Sequence, residues 1–144
     1  MKRKLLVAAT AALGLFAAAA PGSAATVAAH QKVATVQTPY GRVLSNPAGK
    51  VLYLFEVDAR NMSGCSQLCQ AYWPPVMSSG APVAGAHVSA AHLGRTATGQ
   101  VTYYGHPLYT YVADTKPKQT KGEGSGAWGG KWYVVGTNGK AIEK

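Results

Sequence analysis

The only two cysteines of this 144-residue chain, Cys65 and Cys69, have three residues between them in the run Cys65-Ser66-Gln67-Leu68-Cys69, with Met62 before it and Met77 after it. Two chemistries suit that pattern. Thiolates joined by thioethers form a soft donor set of the kind that holds Cu(I), and a free dithiol can exchange with other disulfides. In an oxidising compartment the same pair closes a small loop as a structural disulfide. A turn over three intervening residues can bring the Cα atoms within the roughly 4.4 to 6.8 Å that a bridge tolerates. The disulfide is the expected state, and copper binding or thiol redox through Cys65, Cys69, Met62 and Met77 is the alternative. A Cys-x3-Cys-x3-His-x2-Met loop would favour the metal, but Trp73 occupies the His position and Val76 the Met position.

Asp58 and Asp114 end two similar runs, Leu52-Tyr53-Leu54-Phe55-Glu56-Val57-Asp58 and Leu108-Tyr109-Thr110-Tyr111-Val112-Ala113-Asp114. A pair of carboxylates can act as general acid and base. A carboxylate at a strand end more commonly accepts backbone N–H bonds and sets the following turn, or meets a phenol from the other run. His30, His87, His92 and His106 are scattered and never in metal-ligand spacing. His30 would offer copper a histidine with a free amine only if the chain were cut directly before it. There is no Gly-x-Ser-x-Gly, no phosphate loop and no cysteine outside the expected bridge. These features predict a protein without catalytic residues, resident metal or cofactor.

Binding chemistry is better supplied. Lys116, Lys118 and Lys121 cluster in a Gly-rich stretch that also carries Trp128, isolated between Gly126-Ala127 and Gly129-Gly130. Cations beside an exposed aromatic suit an anionic cell-envelope polymer or an envelope protein. Nucleic acid is not expected, because the remaining basic residues are spread along the chain. Tyr103, Tyr104, Tyr109, Tyr111, Trp132 and Tyr133 also crowd this half; those alternating along strands are expected in the core.

These residues need a scaffold, and the N-terminus says where it works. Lys2-Arg3-Lys4, an apolar run from Leu5 to Ala20 and small residues around Ser23, Ala24 and Ala25 have the three-part layout of a secretory signal. The apolar run is 16 residues long, short of the roughly 20 needed to span a bilayer. Residues 1–25 are therefore expected to be cleaved, leaving a secreted product with neither a transmembrane nor a lipid anchor, since no Cys lies near the cut. The remaining 119 residues suit one domain. They carry eleven basic against five acidic side chains, a net +6.

Residues 26–39 read as a linker or an edge strand, with the linker preferred. Beyond them, 17 Gly and 8 Pro in the whole chain leave little room for helix. Gly41-Arg42-Val43-Leu44-Ser45 and Lys50-Val51-Leu52-Tyr53-Leu54-Phe55 flank an Asn46-Pro47-Ala48-Gly49 turn. A second hairpin is expected where Gln100-Val101-Thr102-Tyr103 turns through Tyr104-Gly105-His106-Pro107 into Leu108–Val112. A third is expected where Lys131–Val135 meets Thr137-Asn138-Gly139-Lys140. Short helical turns are expected at Ser66–Tyr72 and at Ser89–Leu93, the latter ended by Gly94. The fold class is mostly β: a single compact domain, residues 40–144, of two pseudo-equivalent β-hairpin repeats at about 40–77 and 92–139, packed face to face. Tyr53, Phe55, Trp73, Tyr109, Tyr111 and Trp132 belong to its core, each Tyr sharing a strand face with the aromatic two residues on.

The shared Tyr-x-aromatic-x-x-Asp pattern, with Trp73 and Trp132 following it, marks an internal repeat. Alongside it stand Cys65-x3-Cys69, Trp73-Pro74-Pro75-Val76, Pro82-Val83-Ala84-Gly85, Gly105-His106-Pro107-Leu108-Tyr109, Asp114-Thr115-Lys116-Pro117 and Trp132-Tyr133-Val134-Val135. On this set, from Gly41 to about Gly139, the chain resembles the bacterial secreted repeat family of unknown function, predicted lipoproteins recognised by a Tyr-x4-Asp motif. The resemblance implies an exported, envelope-associated two-repeat module and brings no activity or substrate. The chain departs from the pattern in lacking a lipobox Cys and in its longer, more basic segment Lys118–Lys131.

Overall fold

The computed structural model describes residues 26–143. The expected signal peptide lies outside the described residues. The chain forms β1 (Lys32–Thr38), β2 (Gly41–Ser45), β3 (Tyr53–Phe55), α1 (Gln67–Tyr72), β4 (Val83–Ala84), β5 (Leu93–Arg95), β6 (Val101–Tyr103), β7 (His106–Pro107) and β8 (Trp132–Val134). These make three small sheets in the orders β2-β1-β4, β3-β8 and β5-β6-β7, a mostly β architecture with one short helix.

The linker preferred for residues 26–39 is corrected. β1 is the central strand of its sheet, antiparallel to β2 with Val36 opposite Val43, and parallel to β4 with Val33 opposite Ala84. Val33 is fully buried, which a linker would not achieve. The pairing starts earlier still, because Ser79 and Gly80 donate backbone N–H bonds to the carbonyls of Ala28 and Ala29. Two smaller expectations change as well. The second hairpin turns on Tyr104-Gly105 alone, at φ +49 and +83, the left-handed pair that a two-residue type I′ turn requires. His106 already faces Tyr103 across the ladder. The segment at Ser89 makes one 3-10 turn, Ala90–His92. Gly94 does not end it but lies within β5 opposite Thr102, because pairing with β6 outweighs a helical stop.

Strands β2, β3 and β8 are buried on both faces, so alternate residues feed two cores. Leu44, Leu52, Leu54, Tyr133 and Val135 enter a largely aliphatic cluster with Val33, Val76, Val101 and Leu108. Val43, Tyr53, Phe55, Trp132 and Val134 enter an aromatic cluster with Trp73, Tyr109 and the two cysteines.

The two repeats do more than face one another, because each gives its extended closing segment to the other. In the first repeat Leu52 N–H bonds to Leu44 C=O, and Leu44 N–H bonds to Val135 of the second. In the second repeat Leu108 N–H bonds to Val101 C=O, and Val101 N–H bonds to Val76 of the first. Val76 follows Trp73 by three residues as Val135 follows Trp132, so the exchanged segments are equivalent. Tyr53 and Tyr109 mark the centre of this pseudo-two-fold arrangement, each donating its N–H to the other's carbonyl at 2.8 and 3.0 Å.

Candidate functional site

The repeat motif builds a symmetric centre. Four rings stack in the order Phe55, Trp132, Trp73, Tyr111, with centroids 4.1, 3.9 and 4.2 Å apart. The order reads the same from either repeat: a motif aromatic, the other repeat's Trp, then the reverse. Tyr53 stands edge-on to Trp73 at 5.3 Å and Tyr109 edge-on to Trp132 at 5.0 Å, the orientation that a ring quadrupole favours.

Each motif phenol then crosses to the opposite carboxylate. Tyr53 donates to Asp114 Oδ2 at 2.6 Å, and Tyr109 donates to Asp58 Oδ2 at 2.8 Å. The remaining oxygens accept backbone N–H bonds, Asp114 Oδ1 from Lys121 and Asp58 Oδ1 from Gly64. Both aspartates also close identical turns, their N–H groups bonding to Tyr111 and Phe55 carbonyls at 3.1 Å. The two roles weighed for them, turn former and partner of a cross-repeat phenol, are met together. Burial first, then the bond and charge of Asp114, push Tyr53 far above the ordinary phenol range. Burial likewise raises Tyr109, with Asp58 adding to it against a bond from Ser63. Burial also raises Asp58, against the Gly64 and Tyr109 bonds that hold it down. Both phenols therefore stay protonated donors, and every carboxylate oxygen of the pair is engaged within the fold.

Cys65 and Cys69 form a disulfide with Cα atoms 5.3 Å apart. It closes over the start of α1, where Ser66 caps the helix by accepting the Cys69 N–H. Sulfurs bonded to each other are not thiolates, the form that binds metal. Met62 and Met77 line a cleft beside Cys65. The histidines lie apart: His30 Nδ1 is 2.9 Å from the Ala81 carbonyl oxygen, His92 stacks on Tyr104, and burial and then the Arg60 charge lower His106. Among the described residues no group of three or more His, Cys, Asp and Glu is placed to hold a metal ion. No helix of the described residues is long and apolar enough to cross a membrane.

The segment from Thr115 to Lys131 is an irregular loop over the aromatic core. Lys116, Lys118, Lys121 and Lys131 are all exposed on it. Gln119 Oε1 pins its start by accepting the N–H groups of Thr115 and Lys116. Gly122 lies flat on the ring stack: a Cβ there would fall 2.6 Å from Trp73 Cη2 and 3.1 Å from Tyr111, so no other residue fits. Trp128 is 42% exposed and sits at φ +70, a left-handed conformation that costs a bulky L-residue roughly 1–2 kcal/mol. Its ring leans on that of Tyr72, itself 54% exposed, at 5.7 Å. With Trp73, Tyr111, Ser125 and Ala127 they line a cleft of about 320 Å³. Trp128 stood out in the sequence by its glycine surroundings. Tyr72 did not, because nothing local says that α1 ends beside that loop.

A family model described as a secreted repeat of unknown function matches residues 34–77 and 95–136. The first matched segment starts within β1 and the second at the end of β5, and each ends one residue past Val76 or Val135. No curated protein and no solved structure matches the chain. With more than half of its length covered by two repeats, the chain belongs to this family of secreted repeats of unknown function.

Proposed function

We infer that this secreted domain is a non-enzymatic extracellular binding module that grips an anionic envelope polymer through the Lys116, Lys118 and Lys121 loop and the aromatic cleft beside it. The observation that carries the reading is Trp128. An indole held outward in a left-handed backbone conformation, on a lysine-bearing loop, is a poor way to stabilise a fold and a good way to meet a ligand. The surplus of positive charge on the same loop supplies attraction that weakens with salt. Engagement of both aspartates by phenols and backbone argues against a catalytic carboxylate pair. An acidic envelope protein is the competing partner.

The test is co-sedimentation with purified cell-wall material. The expected result is binding that falls steeply between low and physiological salt, and falls again when Lys116, Lys118 and Lys121 are changed together to Gln. Binding unaltered by that triple substitution would remove the mechanism, and retention on envelope protein after the polymer is digested would move the reading to the protein partner.

A further inference from the structure

The two phenol–carboxylate bridges are twins in the core but not at their outer ends. Beyond Tyr53 the bridge is closed by backbone, the Gly122 N–H approaching the phenol oxygen at 3.3 Å. Beyond Tyr109 it ends on a side chain, Ser63 Oγ at 2.7 Å. Ser63 lines a cleft of about 530 Å³, with Met62, Cys65, Pro75, Met77 and Gln100 among its walls. That volume suits a small-molecule site, as do apolar walls with a few converging polar groups. Thioethers adapt their shape to what they cover. None of the residues lining the cleft carries a charge, although the domain around it is strongly basic. None of them lines the Trp128 cleft either.

Proton counting shows what Ser63 offers. The single phenol proton of Tyr109 goes to Asp58 Oδ2, so Ser63 must give its own proton to the Tyr109 oxygen. Of the two lone pairs on its oxygen, one accepts the Cys65 N–H at 3.2 Å, which leaves one unused. What it presents to the cleft is an acceptor.

We propose that this cleft is a second binding site, separate from the basic loop, for an uncharged ligand with an apolar body and one N–H or O–H group donated to Ser63 Oγ. Charge selects the class: a desolvated ion entering here would find no counter-charge, whereas a neutral donor completes a chain that runs through Tyr109 to Asp58.

The probes are four compounds of one shape: benzyl alcohol, benzyl methyl ether, benzoate and benzylammonium. They are titrated into the protein carrying 13C-methyl methionine, whose Met62 and Met77 signals report the cleft directly. Benzyl alcohol is expected to shift both signals saturably. The ether should bind roughly three- to tenfold more weakly, the factor one neutral hydrogen bond supplies, and both ions more weakly still. Ser63→Ala should abolish the preference for alcohol over ether while leaving the ether's affinity in place. Met62→Gln, at a side chain 65% exposed and so safe for folding, should weaken binding of both neutral probes and leave the protein's charge and its wall-polymer binding unchanged. Benzoate binding as well as the alcohol, an alcohol preference surviving Ser63→Ala, or no saturable shift would each overturn the proposal without touching the role of the lysine loop.

Discussion

From Asp58 to Trp73, and from Asp114 to Trp132, the chain links the same two places of the pseudo-symmetric core by different means. The first connection is covalent and helical: a disulfide, a Ser66 cap and α1. The second is three residues longer. It relies on side-chain anchors from Gln119 and Asp114, on Gly122 against the ring stack, and on the Ser125 carbonyl accepting the Trp132 N–H. What they enclose is conserved between the halves down to ring order and hydrogen-bond polarity. The core is thus specified twice over, and the connections are where one repeat can be braced while the other is left to carry charge and an exposed indole.

If the halves are equivalent at the centre, truncating either tryptophan must cost the same. Trp73 and Trp132 are both fully buried and each is stacked between the other and one motif aromatic. Trp73→Ala and Trp132→Ala are each expected to lose about 3–5 kcal/mol, read from urea unfolding midpoints. Costs that differ by more than about 2 kcal/mol would break the equivalence, since cavity terms for one residue type spread by about that much.

The bridges are next, and there the halves should part. Asp114 is 1% exposed, whereas Asp58 keeps partial contact with solvent. Tyr53→Phe strands a buried carboxylate and is expected to cost about 2–3 kcal/mol, against about 1 for Tyr109→Phe, where water can replace the phenol. The acid dependence sharpens this. The folded state raises the Asp58 carboxyl above its ordinary value of 3.8, burial outweighing its bonds. Its contribution to stability is therefore complete below that value and is lost as pH rises through the raised one. Asp58→Asn should flatten that part of the stability profile, which can be followed by urea melts across the acid range.

How much of this was legible beforehand follows from range. The motif tyrosines, Asp58, Asp114 and the Trp pair announce themselves because they occur twice, and the disulfide because it is local. The exchange of closing segments does not, since Trp73-Pro74-Pro75-Val76 has the same local pattern whichever repeat it pairs with. The segment of β1 reads as linker or edge strand, with the linker preferred, for a related reason. Its central position depends on a parallel partner, Val83–Ala84, two residues long and fifty positions away. Ser63 is one serine among several until Tyr109 is seen to point at it from the other repeat. Of the loop, the lysines and Trp128 could be read from composition, but the cleft could not, because Tyr72 arrives from the first connection.

The disulfide tests whether the connections are independent. Closing so short a loop is worth about 2 kcal/mol by chain entropy. The double variant Cys65→Ala, Cys69→Ala, or reduction of the native protein, should lower stability by about that amount. It should also leave sedimentation with wall material unchanged, because Lys116, Lys118 and Lys121 belong to the second connection. Loss of polymer binding on reduction would show that α1, through Tyr72, organises the loop more tightly than the comparison allows.

The smallest effect on stability concerns Trp128, and its sign is the informative part. Trp128→Ala keeps a residue with a Cβ at φ +70 and removes the contact with Tyr72. It should be neutral to slightly destabilising, within about 1 kcal/mol, as is usual for exposed positions. Trp128→Gly removes the same contact but relieves the left-handed penalty of roughly 1–2 kcal/mol, offset by the greater freedom of glycine in the unfolded chain, about 0.5–1 kcal/mol. Glycine should therefore equal or exceed alanine by up to about 1.5 kcal/mol in melting experiments, while both lose affinity for wall polymer. A loop that becomes no less stable as it stops binding is one whose strain is tied to the ligand. Alanine more stable than glycine would show instead that the backbone at this position is held without strain, and the argument from conformation to binding would have to rest on the lysines alone.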